Sequence, residues 1–309
     1  MDPIRQSLST AIRPTTFLEP SRLSHRFGAR IVLASETFQH TGSFKFRAGY
    51  NVALSVPHNH IVAASSGNFG QGLACACRLL GKSCTVVMPD TSAQVKIDAV
   101  REFGGVVDLI DLRQTSRKSR VEEMIGKCPD AYAASAYDDP LVIEGNATLG
   151  DELAAAPYRF DFILAPVGGG GLTAGLITGL RRSGSLVPVM GVEPLLANDA
   201  ARSLRAGELV ANDTEPQTIA DGVRTLSLGR HNWAILKNGL ESVIEVSEDN
   251  IRQAVRLLFA LANLKAEPTS ALSVAALLAA PDLFREQRVC CVISGGNVDP
   301  ATFAEIISA

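Results

Sequence analysis

Short apolar segments alternate with helical patterns along most of this 309-residue chain. Between residues 61 and 112 the pattern predicts strands at 61–65, 83–88 and 106–112, with helices at 70–80 and 93–103. A helix between two strands returns the chain to the end of the sheet where the first strand began, so such strands pair in parallel. The pattern therefore predicts an α/β fold built on an open parallel sheet.

The same alternation resumes near residue 160 and predicts a second parallel sheet. The predicted strands are 160–167, 187–192, 242–246 and 289–294, and the predicted helices are 172–182, 231–237, 248–261 and 270–278. We find no repeat of fixed period and no linker, so short crossings should join the two sheets. Because ligands of open parallel sheets bind beyond the carboxyl ends of the strands, we expect two α/β domains with a site in the crevice between them.

Composition and charge exclude several classes of protein. Hydrophobic residues make up 46% of the chain and charged residues 20%, a balance that suits a sizeable core and not a disordered chain. The 29 basic and 32 acidic residues form no long block of one sign, which argues against a nucleic-acid partner. No apolar run reaches the roughly 18 residues of a membrane span, and the N-terminus has no apolar signal segment. We expect a cytoplasmic protein that does not bind membranes.

Four glycines, Gly168 to Gly171, stand between a predicted strand and the helix that begins near Leu172. A strand-to-helix turn of this kind directs free backbone N–H groups and the positive end of the helix at one point, which suits an anion. The segment lacks the Lys-Ser/Thr of a Walker loop and the spacing of a dinucleotide turn. A phosphate monoester therefore fits better than a nucleotide, and the alternative is a flexible surface loop.

A second cradle follows the strand at 61–65, where Ser65, Ser66, Gly67, Asn68 and Phe69 lead into a helix. Its hydroxyls, amide and helix N-terminus suit a second anion such as a substrate carboxylate, although a simple helix cap by Ser66 or Asn68 explains the same residues. A third predicted strand ends at Ser294, whose hydroxyl can form a hydrogen bond at the crevice.

One lysine, Lys45, lies between Phe44 and Phe46 in a weakly charged stretch. Apolar neighbours penalise the ammonium and lower its pKa, as a Schiff-base lysine requires. The alternative is a surface lysine that lays its stem on apolar neighbours. A lysine, a phosphate cradle, a carboxylate cradle and a hydroxyl at a strand end are together what an enzyme using pyridoxal phosphate needs.

Six short sequence motifs together indicate a known protein family. The motifs S-F-K-x-R, S-S-G-N-x-G-Q, P-V-G-G-G-G, V-E-P, I-A-D-G-V and S-G-G-N follow one another over residues 15 to 298. In these motifs the chain resembles the fold-type II pyridoxal-phosphate enzymes, specifically the serine/threonine dehydratase and serine racemase group. The resemblance implies a tryptophan synthase beta-like fold, with a large cofactor-binding domain over 1–52 and 139–309, a small domain over 53–138, and pyridoxal phosphate in the cleft between them.

The resemblance also assigns the cofactor contacts. It implies that Lys45 binds the cofactor covalently, that Phe44 lies against the ring and that Asn68 contacts the ring's 3-oxygen. The phosphate would be held by Gly168, Gly169, Gly170, Gly171 and Leu172, and the ring nitrogen would meet Ser294. Because a neutral hydroxyl does not force the ring nitrogen to stay protonated, the ring would be a weak electron sink, which favours elimination. Phe69 stands where the family commonly has histidine, so we expect an altered substrate pocket.

The activity implied by this resemblance is that of an ammonia-lyase, with Lys45 as base and a small β-hydroxy amino acid of the serine, threonine or 3-hydroxyaspartate type as substrate. The alternative is a serine- or aspartate-type racemase in which Ser66 is a second base opposite Lys45, and a third possibility is a catalytically silent binding protein.

The resemblance further implies a homodimer and a divalent cation (Mg²⁺, Mn²⁺ or Ca²⁺) on Glu193, Asp199 and the carbonyl of Ala197. Hard oxygen ligands suit these ions, whereas without the family the same acidic pair would be read as surface charge.

Overall fold

The computed structural model describes residues 3–65, 67–92 and 94–308 and shows a mixed α/β fold with two sheets. The strands are β1 (Thr16–Leu18), β2 (Arg30–Ser35), β3 (His60–Ala64), β4 (Ser83–Pro89), β5 (Val106–Ile110), β6 (Ala131–Ala134), β7 (Phe162–Pro166), β8 (Val189–Pro194), β9 (Leu240–Val246) and β10 (Arg288–Ile293).

Helices connect most of these strands. They are α1 (Pro3–Ala11), α2 (Ser21–Phe27), α3 (Lys45–Ser55), α4 (Asn68–Leu79), α5 (Gln94–Glu102), α6 (Arg117–Lys127), α7 (Pro140–Ala155), α8 (Gly171–Arg182), α9 (Asp199–Ala206), α10 (Arg230–Leu236), α11 (Glu248–Ala262), α12 (Pro268–Ala279), α13 (Pro281–Phe284) and α14 (Pro300–Ser308). Short 3-10 turns lie at Leu195–Ala197 and Asp221–Val223. The helices and strands predicted from the sequence are all present, with bounds that differ by a few residues.

The larger sheet has the strand order β1-β2-β10-β7-β8-β9. Strands β2, β10, β7, β8 and β9 pair in parallel, as expected, whereas β1 pairs with β2 in the antiparallel direction. An edge strand needs a partner on one side only, so it can enter in either direction without disturbing the rest of the sheet.

The smaller sheet has the order β5-β4-β3-β6 and is parallel throughout. Its main core contains apolar side chains of α3, α4 and α5, and α6 covers the other face. Two residues, Leu8 of α1 and Ile12 just after it, also pack in this core, so the N-terminal helix adjoins the smaller sheet. The division into a large domain (1–52 and 139–309) and a small domain (53–138) stays a prediction.

A cleft of about 1110 Å³ lies where strands of both sheets end. Residues that follow strands line it, among them Ser65 after β3, Ser135 after β6, Gly168 after β7 and Ser294 after β10. The cleft is therefore at the carboxyl edge of the strands, where parallel sheets bind ligands. Within the described ranges, no helix is long and apolar enough to cross a membrane.

Candidate functional site

Lys45 is the first residue of α3, and its half-buried side chain lies in the cleft. Its Nζ donates a hydrogen bond to the carbonyl of Ala136 at 2.6 Å and lies 5.1 Å from the ring centroid of Phe44 and 5.6 Å from that of Phe69. Burial lowers the pKa of Lys45 from its ordinary value to about 8, with the charge of Glu267 acting in the opposite direction. The surface lysine considered from the sequence is therefore not what the structure shows.

Backbone contacts on two sides hold Lys45 in place. The N–H of Phe44 donates to the carbonyl of Ser294 at 2.9 Å, and Ser43 pairs with Gly295. On the other side, a Cβ at Gly72 of α4 would lie 2.8 Å from the Lys45 carbonyl, so only glycine allows α3 and α4 to approach this closely. The lysine is thus fixed between the ends of β10 and α4.

The first three of the four glycines form the turn between β7 and α8, and Gly171 begins the helix, so the run joins strand to helix as the sequence predicted. All four line the cleft with Leu172. Gly170 has φ +89°, a conformation that favours glycine, and a Cβ at Gly169 would overlap the ring of Tyr137. The Asn232 amide donates to the carbonyls of Gly169 at 2.6 Å and Tyr137 at 3.0 Å, which fixes the turn. The first N–H groups of α8 have no acceptor within the helix, so this buried turn is suited to bind an anion.

The turn before α4 is organised by Ser65. Its Oγ accepts hydrogen bonds from the N–H groups of Gly70 at 3.0 Å and Gly67 at 3.3 Å. The helix cap considered from the sequence was Ser66 or Asn68, but Asn68 is the first residue of α4 and forms no such cap. Ser66 lies outside the described residues. Phe69 is buried and faces Lys45 across the cleft.

Asn68 belongs to a partly buried polar network that connects distant parts of the chain. Its Nδ2 donates to the Glu267 carboxyl at 2.9 and 3.2 Å, and its Oδ1 accepts from Nδ2 of Asn297 at 2.8 Å. These contacts fix the orientation of the Asn68 amide. Sequence reasoning missed Glu267, although a lone acidic residue before an apolar helix with proline at its start was a signal.

Glu267 is an unusual carboxyl because it is almost fully buried beside Asn68 in the cleft. Burial, and then the charge of Asp221, raise the pKa of Glu267 from its ordinary value to about 8, while the hydrogen bond from Asn68 opposes this shift. Near neutral pH this side chain is largely in its acid form. It therefore lines the cleft without adding a full negative charge.

Ser294 directly follows β10, and its hydroxyl lines the cleft as the sequence predicted. Behind it, at 2.9 Å, lies the hydroxyl of Ser270 in α12. Both serines are buried.

Ion pairs cross the mouth of the cleft. Lys96 of α5 pairs with Asp221, and Arg117 of α6 lies 3.6 Å from Glu215. In each pair the basic residue belongs to a helix packed on the smaller sheet, and the acidic residue comes from the chain between α9 and α10. All four residues line the cleft. A charged ligand that enters there meets both signs of charge.

The predicted metal ligands lie at the end of β8, away from the lining of the cleft. Glu193 is the acceptor for the N–H groups of Ala200 and Ala201 at 3.2 and 2.7 Å, and Asp199 begins α9. Desolvation and the neighbouring Asp199 raise the pKa of Glu193 to about 8, and desolvation raises that of Asp199 to about 6. Within the described residues, no cluster of three or more His, Cys, Asp or Glu side chains that could hold a metal is present.

Comparison with known proteins gives matches over nearly the whole chain. A family profile described as "Pyridoxal-phosphate dependent enzyme" matches residues 8–295. L-threo-3-hydroxyaspartate ammonia-lyase of Pseudomonas sp is 34% identical, over 91% of this chain and 88% of that protein. Serine racemase of Schizosaccharomyces pombe is 32% identical, over 95% of this chain and 92% of that protein. The crystal structure of a threonine deaminase from T.th. superposes with a TM-score of 0.90 at 37% identity, covering 96% of each chain.

Proposed function

The chain belongs to the family of pyridoxal-phosphate-dependent enzymes, and from that premise we propose that it is an ammonia-lyase for a small β-hydroxy amino acid. The reaction removes water from a substrate of the serine, threonine or 3-hydroxyaspartate type and gives an oxo acid and ammonia. The observation that carries the proposal is the position of Lys45 in the cleft that the glycine turn also lines, where desolvation lowers its pKa to about 8.

The residues present fit the cofactor. The turn from Gly168 to Gly171, together with Leu172, offers the N-terminus of α8 to the phosphate, and its glycines leave no room for side chains. Lys45 would hold the cofactor covalently, and Phe44 would lie beside its ring. Asn68 would contact the 3-oxygen, and Ser294 would face the ring nitrogen, since both residues line the cleft. When bound, pyridoxal phosphate supplies an electron-withdrawing ring that acidifies the hydrogen on the substrate's α-carbon.

The side chains of this protein provide binding and proton transfer. Lys45 acts as the base for the α-proton, because burial keeps a useful fraction of the amine neutral near physiological pH. The N-terminus of α4, after the turn at Ser65, would bind the substrate carboxylate. Phe44 and Phe69 lie beside the amine and provide it with apolar neighbours.

Among the candidate substrates, a dicarboxylate is favoured by the cations at the mouth of the cleft. Lys96 and Arg117 both line the cleft, and each could exchange its acidic partner for a second substrate carboxylate. Relatives named L-threo-3-hydroxyaspartate ammonia-lyase in Pseudomonas sp and Saccharomyces cerevisiae agree with a substrate of this class.

The test is a substrate screen that follows oxo-acid release and α-proton exchange in the same samples. We expect oxo-acid release to dominate, with 3-hydroxyaspartate preferred over serine and threonine. Borohydride reduction followed by peptide mapping should label Lys45, and Lys82→Ala serves as the control for loss of another partly buried lysine. A label on any lysine other than Lys45, or no oxo acid from any of the three substrates, would refute the proposal.

A racemase is the alternative, favoured by the similarity to serine racemases. In that case Ser66 would be the second base, on the ring face opposite Lys45. This role rests on the sequence motif, because Ser66 lies outside the described residues.

We also propose that a divalent cation binds Glu193, Asp199 and the carbonyl of Ala197. Two buried carboxyls with raised pKa values suit a cation, and Oδ2 of Asp199 is buried without a hydrogen-bond partner among the described residues. Nδ2 of Asn212 donates to Oδ1 of Asp199 at 2.9 Å and to the carbonyl of Thr225, a residue of the cleft wall, at 3.3 Å. A cation here would thus stabilise the cleft without touching the substrate.

The oligomeric state and the cellular location of the protein are also proposals. We propose a homodimer in the cytoplasm, on the resemblance to the dehydratase and racemase group. Light scattering of the purified protein tests whether it is a dimer, and fractionation of the source cells tests whether it is in the cytoplasm.

A further inference from the structure

The amide of Asn232 joins two backbone segments that line the cleft. Asn232 lies in the first turn of α10 and is fully buried. Its Nδ2 donates to the carbonyl of Gly169 in the glycine turn at 2.6 Å and to the carbonyl of Tyr137, in the segment that follows β6, at 3.0 Å. The same two segments touch, because a Cβ at Gly169 would lie 2.2 Å from the ring of Tyr137. One side chain therefore links the turn after β7 to the segment after β6.

The segment after β6 also holds the amine of Lys45. The carbonyl of Ala136, which directly precedes Tyr137, accepts the hydrogen bond from Nζ of Lys45 at 2.6 Å. Oγ of Ser135 fixes the segment from within, since it accepts from the N–H groups of Tyr137 at 3.4 Å and Asp138 at 3.0 Å. The position of this segment thus determines where the lysine amine lies.

The start of α10 is attached to each segment by other bonds as well. The N–H of Gly229 donates to the carbonyl of Gly169 at 3.0 Å. The N–H groups of the first two residues of α10 donate to the carboxyl of Asp138 at 2.9 Å each. Loss of the Asn232 amide should therefore leave both segments in contact with α10, but it removes the direct link between their two carbonyls.

Asn232 is an unfavourable residue for simply filling this position. Its Oδ1 is buried and has no hydrogen-bond partner among the described residues, which costs free energy. Leu228 and Leu236 lie beside it around Gly170, so an apolar side chain would suit the surroundings. The amide is explained by the two bonds that its Nδ2 donates.

We propose that Asn232 sets the distance between the glycine turn and the amine of Lys45, and so positions both ends of pyridoxal phosphate. This inference rests on the proposed function, in which the phosphate binds at the turn and Lys45 holds the cofactor covalently. A ligand held at two points gains affinity when the protein already keeps those points at the right spacing. Asn232 is a positioning residue, since it acts through the backbone of the two segments.

The test compares three ligands in the cofactor-free protein by fluorescence titration. Pyridoxal 5′-phosphate can use the turn and the amine, pyridoxine 5′-phosphate lacks the aldehyde and can use only the turn, and pyridoxal lacks the phosphate and can use only the amine. In Asn232→Ala, the affinity for pyridoxal 5′-phosphate should fall at least about tenfold, while the other two affinities change less than about threefold. A merely structural role would lower all three affinities alike.

Asn51→Ala is the matched control. Asn51 is a buried asparagine of α3 whose Nδ2 donates to the carbonyl of Leu141 at 2.7 Å and whose Oδ1 also lacks a partner among the described residues. The variant loses the same kind of buried amide, but not the link between the two segments. Its preference for pyridoxal 5′-phosphate over the two single-ended ligands should match that of the wild type.

Three results would overturn the inference. They are an unchanged affinity of Asn232→Ala for pyridoxal 5′-phosphate, an equal loss of affinity for pyridoxine 5′-phosphate, and an equal loss for pyridoxal. If Asn232→Ala does not fold, Asn232→Ser replaces it, because a hydroxyl has one hydrogen and cannot link two carbonyls; wild-type affinity for all three ligands would then refute the inference. Failure of pyridoxal 5′-phosphate to attach to Lys45 in the wild type would instead refute the proposed function, and this inference with it.

Discussion

The environment of Lys45 shows what single residues reveal before a fold is known. The sequence predicts a lowered pKa from the flanking Phe44 and Phe46, and the structure gives the same direction. The second aromatic ring near the amine is nevertheless Phe69 of α4, while Phe46 packs against His40 and Tyr50. Successive residues of a helix point about 100° apart, so Lys45 and Phe46 cannot face the same space. Partners from other elements could not be read from the local sequence.

A first prediction concerns the pH at which Lys45 reacts with the cofactor. Only the neutral amine attacks an aldehyde, and the amine becomes neutral as the pH rises through its pKa. In the cofactor-free protein, the attachment rate should therefore rise with pH and level off above about 8 rather than above 10.5. Stopped-flow absorbance with pyridoxal phosphate from pH 6 to 10, in steps of about half a unit, measures this profile. A midpoint near the ordinary lysine value would show that water reaches the amine.

The second prediction at this scale separates the lyase from the racemase. Ser66→Ala removes a proton donor from the face opposite Lys45, so it should abolish epimerisation at the α-carbon. General acid–base groups contribute about 10²- to 10⁴-fold only to the step they serve, so elimination of the enantiomer deprotonated by Lys45 should persist. Chiral chromatography in deuterated water reports both reactions. Equal loss of both would mean that Ser66 serves the carboxylate cradle instead.

At the scale of elements, the glycine turn was the part of the site best predicted from sequence. A glycine run after an apolar strand is a local signal, and β7, the turn and α8 are contiguous in the chain. The elements β1, β2 and β6 were not predicted. Strands β1 and β6 are only three and four residues long, and β2 and β6 pair with strands far away in the chain. The contact between Asn68 and Glu267 spans 199 residues and left no local pattern.

The third prediction tests how tightly that turn is packed. A methyl group at Gly169 would overlap the Tyr137 ring, so Gly169→Ala must displace the turn and should weaken cofactor binding at least about tenfold, or ~1.4 kcal/mol. Gly126→Ala in α6 is the matched control, since no atom lies within 4 Å of a Cβ built there. Fluorescence titration with pyridoxal phosphate gives both affinities. Equal affinities would mean that Tyr137 moves aside at no cost.

At the scale of the whole molecule, buried carboxyls should make the cofactor-free protein less stable as the pH rises. The pKa of Glu267 is about 8 in the folded chain against an ordinary 4.5. Between these values the folded chain keeps a proton that the unfolded chain has released, so this contribution is lost as the pH rises toward 8.

The fourth prediction is that Glu267→Gln removes part of this pH dependence while keeping an acceptor for Asn68. Urea unfolding at about pH 5 and about pH 8 should show a loss of stability in the wild type that exceeds the loss in the variant by on the order of a few kcal/mol. Glu122→Gln, on the exposed face of α6, should follow the wild type. Equal losses in Glu267→Gln and wild type would show that Glu267 is solvated.

The fifth prediction concerns the cation. Mg²⁺ or Mn²⁺ should raise the melting temperature and activity, because binding to the folded state alone stabilises it, and EDTA should lower activity without bleaching the bound cofactor. Asp199→Asn should remove the response, whereas Glu241→Gln, an exposed residue of β9, should keep it. If neither EDTA nor added cation changes the melting temperature or turnover, the carboxyls bind no metal.

The position of β10 has a consequence for synthesis of the protein on the ribosome. It is the last strand of the larger sheet to be made, yet it lies at the centre, between β2 and β7. Until it emerges, the facing edges of β2 and β7 have unpaired backbone groups, and such edges invite pairing with other chains. Nascent chains that end before residue 288 should therefore depend on chaperones and fail to retain pyridoxal phosphate, because the backbone that anchors Phe44 and Lys45 is not yet in place.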